Sequence, residues 1–354
     1  MVENPQTCTP VRPAGRLPAV EVVIPHYRGF EMLERCLRSL SATRYPSMRI
    51  CVVDNASGEE ALESLPSRFA DLRVISLGEN RGFAGGCNSG LFSSSAGYLV
   101  FMNDDVTVEP SWLRKLVDAA EKDVSIAALQ PKVLSASAWR KGERLFDYAG
   151  AAGGRIDRLG YPFCYGRTFR ETQRDEGQYD RPRDIFWASG AAMFVRRDAA
   201  VVSGGFDEDF FMHMEEIDLC WRMLLRGFRI VSVPGAVVYH EGGASLAAGS
   251  PQKIYLNHRN NIAMVLQNMS LSHLFWAFPL RLLLEVAAAV GYLFRGNDGL
   301  RSACAVFRAL RDNVRRVSAI GVKRRAVQAA RSVPERSVFK GAPLSILPGL
   351  RSAG

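Results

Sequence analysis

Four short apolar runs, at residues 20–24, 50–53, 72–77 and 98–102, each stop at or just before polar residues. His26 and Tyr27 follow the first, Asp54 and Asn55 the second, Asn80 the third, and Asn103, Asp104 and Asp105 the fourth. Near-continuous apolar runs of this length read as strands buried on both faces. Between the first two, Met32, Leu33, Cys36, Leu37 and Leu40 recur at helical spacing, with Arg35 and Arg38 on the wet face. Helical patterns are also predicted at residues 86–93 and 112–120. Strand and helix in alternation imply a doubly wound, mainly parallel sheet covered by helices. In such sheets the ligand crevice lies beyond the carboxyl ends of the strands, where all four polar clusters fall.

Composition narrows the class. The chain has 354 residues, 47% of them hydrophobic and 23% charged, which excludes a disordered or collagenous chain and a polytopic membrane protein. The formal net charge is +9, yet residues 295–354 alone carry 13 Lys+Arg and 3 Asp+Glu. That balance of +10 leaves −1 for residues 1–294, so an argument from charge to an anionic partner concerns only the tail. Seven scattered cysteines with no CxxC pair point to a reduced compartment. Residues 1–18, with four prolines and no apolar stretch, read as a flexible leader. Residues 139–183 are rich in Gly, Arg and aromatics, have little periodicity, and are expected to form an excursion on the acceptor side.

Three clusters carry candidate chemistry. Asn103-Asp104-Asp105 ends a buried strand, and adjacent carboxylates delivered to a crevice suit a hard divalent cation shared with phosphates; a solvated turn would use the same residues. Glu215, Glu216 and Asp218 lie among apolar neighbours, where burial and mutual repulsion raise carboxyl pKa values as a general base requires. An Asp218–Arg222 pair at i, i+4 is the structural alternative. His240 ends an apolar strand and could complete a metal's coordination. The glycine-rich turn at Gly82, Gly85, Gly86 and Gly90 enters a helix that could receive phosphate, but its spacing fits neither GxGxxG nor GxxxxGK[ST].

These elements, in this order, resemble the inverting nucleotide-sugar glycosyltransferases of family two, with the GT-A fold, and most closely their rhamnosyltransferase-like branch. The resemblance covers residues 20–268 and rests on Ile24-Pro25-His26-Tyr27, Val52-Val53-Asp54-Asn55-Ala56-Ser57, Asn80-Arg81-Gly82-Phe83-Ala84-Gly85-Gly86-Cys87-Asn88 and Phe101-Met102-Asn103-Asp104-Asp105-Val106. It continues through Ser189-Gly190-Ala191-Ala192-Met193, Gly204-Gly205-Phe206-Asp207-Glu208, Glu215-Glu216-Ile217-Asp218 and His240.

It implies that Pro25, Tyr27 and Asp54 line the base and ribose, and that Asn80, Gly82 and Asn88 shape the nucleotide floor. Asn103 and Asp104 would belong to the donor site, with Asp105 and His240 holding Mg2+ or Mn2+ on the donor diphosphate. Glu216 would be the general base, with Glu215 and Asp218 as alternates. The implied reaction is one inverting transfer of a sugar, rhamnose in this branch, from a nucleoside diphosphate sugar to a saccharide or lipid-linked saccharide in cell-surface polysaccharide assembly. Asn103 stands where the family carries the first Asp of DxD, Glu216 where Asp is usual, and Arg28 where an Asn often follows the Pro-x-Tyr element. No QxxRW motif of processive synthases is present.

The expected organisation is a leader at 1–18, a GT-A domain at 19–268 and a C-terminal helical, membrane-associating extension at 269–354. Within 271–294 the longest charge-free runs, ten residues at 271–280 and nine at 286–294, fall short of the roughly 20 needed to span a bilayer. With the basic tail beyond, the segment reads as an interfacial element on an anionic membrane surface, placing the protein in the cytoplasm at the inner face of the cell membrane. A buried helix pair, a homodimer contact, or a re-entrant or spanning element is the alternative. Nucleic acid is not expected as a partner, because beyond residue 294 only Phe307 and Phe339 could stack on bases. The competing functions are a non-catalytic membrane- or nucleic-acid-binding protein and a sugar-1-phosphate nucleotidyltransferase; for the latter, residues 25–29 lack a basic glycine-rich signature.

Overall fold

The computed structural model describes residues 17–167, 171–242 and 249–345; most of the leader and the last residues of the tail lie outside them. The first half alternates as the sequence pattern requires: β1 (Val20–His26), α1 (Phe30–Ser41), β2 (Met48–Asp54), α2 (Leu65–Arg68), β3 (Leu72–Ser76), α3 (Gly82–Ser93), β4 (Tyr98–Met102), β5 (Val106–Val108), α4 (Trp112–Lys122), β6 (Ile126–Ser135) and α5 (Ala136–Trp139). Next come β7 (Gly154–Ile156), β8 (Pro162–Cys164), β9 (Arg183–Asp184), β10 (Ala192–Arg196), α6 (Arg197–Val202), α7 (Glu215–Leu225) and β11 (Arg229–His240). Five helices close the chain: α8 (Pro251–Asn268), α9 (Leu271–Leu293), α10 (Gly299–Arg315), α11 (Val317–Ala329) and α12 (Glu335–Val338).

Nine strands form one sheet in the order β3-β2-β1-β4-β10-β6-β11-β5, with β9 added to β11. β3, β2, β1 and β4 run parallel, and β10 enters antiparallel between β4 and β6. Alternate residues of β1 serve opposite faces: Val20, Val22 and Ile24 join the core beneath α1 and α4, while Val23 joins the core on the other face. Register sets His26 beside Asp54, and Asp54 beside Ser76, so the polar strand ends form one row along the sheet.

Two glycines of α3 answer to packing. A Cβ at Gly90 would stand 2.3 Å from Val23 Cγ1, and one at Gly86 2.8 Å from Pro25 Cβ. The absent side chains let the helix lie directly on β1.

The C-terminal segment is built onto this body. Phe339, just past α12, packs edge-on against Trp221 of α7 at 5.5 Å and against Phe186 at 6.0 Å, and Ile320 of α11 belongs to the same core. Residues 271–293 form one unbroken 23-residue helix, not the two runs divided by charge that the sequence suggested. Arg281 and Glu285, at i, i+4, face inward together. Glu285 also pairs with His258 of α8, and Arg281 donates to the Leu159 carbonyl and lies over the Tyr161 ring. The outward side carries Phe275, 87% exposed, and Leu283, 69% exposed.

Candidate active site

The turn after β4 and the end of β11 meet because Val106 of β5 pairs with His240. That register brings His240 Nε2 to 3.1 Å from Asp105 Oδ1 and 3.2 Å from Asn103 Nδ2. The other imidazole nitrogen, Nδ1, is 2.9 Å from Asp147 Oδ1. Burial alone would lower the His240 pKa, but the two carboxylates outweigh it and raise it to about 10. Asp105 Oδ1 is buried and, although within ion-pair distance of His240, receives no well-directed hydrogen bond.

Among the described residues no three His, Cys, Asp or Glu side chains gather into a closed metal site. The strand ends offer an open one, a carboxylate and an imidazole whose far nitrogen is oriented by a second carboxylate. Such a pair fits a cation that takes its remaining ligands from phosphate and water. Asp147 was missed in the sequence, since it lies in the aperiodic excursion.

A second histidine ties the neighbouring strands. His26, buried at the end of β1, bonds Asp104 Oδ2 through Nδ1 at 2.7 Å and Glu59 Oε2 through Nε2 at 2.8 Å. Burial would lower its pKa, yet the two acids raise it. Asp104 is itself shifted up because burial outweighs the help of His26. Asp104, read from the sequence as a donor-site group, thus has one carboxylate oxygen committed to holding β1 and β4 together. Glu59 escaped sequence analysis.

The other donor-side candidates line the same row. Pro25 ends β1 under α3, and Tyr27 is exposed with the Arg28 guanidinium 5.0 Å over its ring. Asp54 Oδ1 accepts from Ser57 N at 2.8 Å. Asn55 donates to the Gly82 carbonyl at 2.9 Å, and Asn80 accepts from Gly82 N at 2.9 Å. Gly82 has φ +68, and a Cβ there would meet the Phe211 carbonyl at 2.2 Å. Asn88 differs from its sequence reading: its amide donates to the Phe206 carbonyl and Glu208 and accepts from Phe206 N, all at 2.9 Å. It holds the 206–208 loop against α3.

The acidic cluster separates into three roles. Asp218 is fully buried, paired with Arg222 at 2.7 Å and accepting from Asn268 Nδ2 at 2.7 Å. It is a structural ion pair and not an alternate base. Asp218→Ala is expected to cost about 3–5 kcal/mol, checked by denaturant unfolding. Glu215 is buried with Oε2 unpartnered, and burial, then repulsion from Glu216, lifts its pKa well above the ordinary range. Glu216 is only partly buried. Burial raises its pKa to about 7, against backbone N–H groups of Glu216, Ile217 and Gly190 that favour the charged form. Its Oε2 is also without a hydrogen-bond partner.

A short stretch of backbone links these groups. Gly190 N, which bonds Glu216, is one residue from Ala191, whose carbonyl accepts from Asn103 N at 3.2 Å. Cys164 lies within electrostatic reach of both Glu216 and Asp147. The segment entering α7 is strained: Phe211, His213 and Met214 have φ of 66°, 70° and 75°, at roughly 1–3 kcal/mol each. Strain of this kind is characteristic of functional sites.

A carboxylate raised toward neutrality and an open carboxylate–imidazole pair are suited to group-transfer chemistry. Known proteins resemble the chain in sequence and in fold. An N-acetylglucosaminyl-diphospho-decaprenol L-rhamnosyltransferase of Mycobacterium tuberculosis is 28% identical over 313 residues, covering 85% of this chain and 96% of that one. O-antigen biosynthesis protein RfbC of Myxococcus xanthus is 26% identical over 248 residues, covering 69% of this chain and 19% of its own.

Among solved structures, GalNAc-T7 with UDP, GalNAc and Mn2+ superposes with TM-score 0.55 at 16% identity, over 71% of this chain and 48% of that one. TarS 1-349 of S. aureus gives 0.54 at 15%, over 88% and 87%. Both share the fold, which is GT-A. Residues 21–200 match the glycosyl transferase family 2 profile, and the chain belongs to that family as a rhamnosyltransferase-like member.

Proposed function

We propose that the chain is an inverting, metal-dependent transferase that moves a rhamnosyl residue from a nucleoside diphosphate sugar to a hydroxyl of a lipid-linked saccharide, at the cytoplasmic face of the membrane, during cell-surface polysaccharide assembly. The observation that carries this reading is the state of Glu216: partly buried, raised to about 7, with one carboxylate oxygen unpartnered. Pro25, Tyr27 and Asp54 would line the base and ribose, and Asn80 and Gly82 the turn beneath them. Asp105 and His240 would hold Mg2+ or Mn2+, whose charge, when bound, offsets that developing on the departing diphosphate. Glu216 takes the proton of the acceptor hydroxyl while that oxygen bonds to the anomeric carbon from the face opposite the leaving group. The bond to the diphosphate breaks with its electron pair, and configuration inverts. Glu215, more deeply buried, is pushed further toward its protonated form by burial and by repulsion from Glu216, which favours Glu216 as the acceptor of that proton.

The membrane part of the reading is supported by α9 and α10. α9 is long and apolar enough to cross a membrane by length and composition, but its inward side is fixed to the body by Arg281 and Glu285. A helix so fixed suits lying in the interface with its outer side in the acyl boundary. Arg301, Arg308, Arg311 and Arg315, exposed and recurring at helical spacing on α10, outnumber the two surface acids they pair with, Asp298 and Asp312, and leave a positive excess for anionic headgroups. Other cations of the tail serve the body, since Lys323 pairs with Asp207 and Asp209, and Arg316 with Asp209. Phe275→Glu with Leu283→Glu is expected to move the protein from the membrane pellet to the supernatant on sedimentation. Unchanged pelleting would remove α9 as the anchor.

The test of the whole reading is direct. The protein is incubated with dTDP-, UDP- and GDP-linked rhamnose, with and without Mn2+, and with a polyprenyl diphosphate-linked N-acetylglucosamine. Metal-dependent transfer with inverted anomeric configuration is expected, and transfer with retention, or none from any donor, refutes it.

A further inference from the structure

Six successive carbonyls precede the catalytic carboxylates, from Asp209 to Met214, in a segment whose backbone is left-handed at Phe211, His213 and Met214. A strained stretch of this kind persists only where surrounding groups hold it. Each carbonyl has a donor. Asp209 and Phe210 accept from Arg259 Nη2 at 2.9 and 3.0 Å. Phe211 accepts from Ala84 N of α3 at 3.2 Å, and Met214 from Asp218 N at 2.9 Å. Phe210, Met212 and His213 share the two N–H groups of one atom, Asn260 Nδ2, at 2.9, 2.9 and 2.8 Å.

Asn260 is completely buried on α8. Its own carbonyl oxygen accepts from Arg259 Nε at 2.8 Å, which fixes the orientation of the amide. The next residue extends the hold. Asn261 donates to the Gly160 carbonyl at 2.9 Å, touches Met214 Sδ at 3.8 Å, and accepts from Arg281 of α9. The residue immediately before α7 is therefore held from α8, and α9 in turn holds Asn261 through Arg281.

We infer that Asn260 is a positioning residue for the transfer reaction: its single amide nitrogen gathers three carbonyls and holds the left-handed turn at 210–214 that aims Glu216 into the crevice. The inference rests on Glu216 being the general base. Asn260 touches neither the metal ligands nor the strand ends of the donor side, and its effect on the reaction passes entirely through the turn. Because the Phe211 carbonyl also accepts from Ala84 N, at the start of α3, the same turn joins the base to the helix beneath the donor.

The test uses the full-length protein, the rhamnosyl donor that supports wild-type turnover, and Asn260→Ser, Asn260→Asp and Glu216→Gln, singly and combined. Asn260→Ser shortens the donor, and Asn260→Asp replaces it with an oxygen that repels the three carbonyls. Both are expected to lower kcat by about 10²-fold, the effect of misplacing a reacting group by about 1 Å. The acid limb of the pH–rate profile is expected to shift as water reaches Glu216. In a Glu216→Gln background neither substitution should slow the residual rate further, because groups acting through one another are not additive.

Thermal unfolding establishes that the variants are folded. Wild-type kcat in a folded variant, a loss of rate with an unmoved acid limb, an additive loss in the Glu216→Gln background, or global unfolding of both variants would each overturn the assignment. A Glu216→Gln enzyme that keeps its activity refutes the base itself, a separate result from a neutral Asn260 variant beside an inactive Glu216→Gln.

Discussion

Glu216→Gln is expected to lower kcat by about 10²–10⁴-fold, the contribution of a positioned general base, and to leave nucleoside diphosphate binding close to wild type. The substitution preserves shape and removes only the capacity to accept a proton. Its diagnostic is the pH profile. Burial raises the Glu216 pKa to about 7, so kcat/KM of the wild type should fall tenfold per pH unit below about 7 and level off above it. The glutamine enzyme should lack that limb.

Stability moves in a linked way. A carboxyl whose folded pKa lies above its ordinary value near 4.5 makes the native state the better proton binder. The contribution to stability is complete below the unfolded pKa and is lost as pH rises through about 7. Glu216→Gln should therefore gain stability relative to wild type at pH 8 and lose the advantage by pH 4, as read by thermal unfolding at the two values. A slow, stable enzyme with no acid limb is the signature of a lost base; a slow, unstable one would indicate a damaged fold.

The two halves of this site differed in how far the sequence displayed them. The strand ends were legible because period and polarity are local: an apolar run stopping at His26, Asp54 or Asn103 places those residues at the edge of a sheet whatever happens elsewhere. The meeting of Asp105 with His240 is a matter of topology, and the order of motifs implied it before the β5–β11 register brought them together.

Asp147 and Glu59 gave no such signal. Each is a lone acid in a loop, and its role exists only because a histidine from a distant strand arrives within 2.9 Å and 2.8 Å, respectively. Asn260 is a stronger case. An asparagine within a helix carries no local mark of the three carbonyls it serves, because those carbonyls are displayed only after the 210–214 turn has taken its left-handed form. The misjudged segments have a common cause. Counting charge-free residues split α9 at Arg281 and Glu285, although an opposite pair at i, i+4 lies on one face of a helix. Counting net charge assigned the whole tail outward, although Arg316 and Lys323 face Asp207 and Asp209.

The second large effect is expected at Asp105. It contributes the only carboxylate in the turn after β4 that faces His240, since Asn103 carries no charge and Asp104 turns to His26. A cation holding the donor diphosphate would have no other anionic protein ligand in that turn. Asp105→Asn should lower kcat/KM by about 10²–10³-fold, the range measured when one electrostatic stabiliser of a developing anion is removed, and raise the Mn2+ concentration needed for half-maximal activity.

The neighbouring acids grade the effect. Asp147→Asn, which removes only the carboxylate behind His240, should cost about 10–100-fold, with the Mn2+ requirement moving in the same direction. Asp104→Asn should act mainly through the His26 link, lowering thermal stability with little change in Mn2+ requirement. Equal effects from all three would mean that the acids act as one structural cluster. The order Asp105, Asp147, Asp104 in Mn2+ dependence would locate the cation between the turn after β4 and His240, because Coulombic influence on a bound ion falls with its distance from the substituted group.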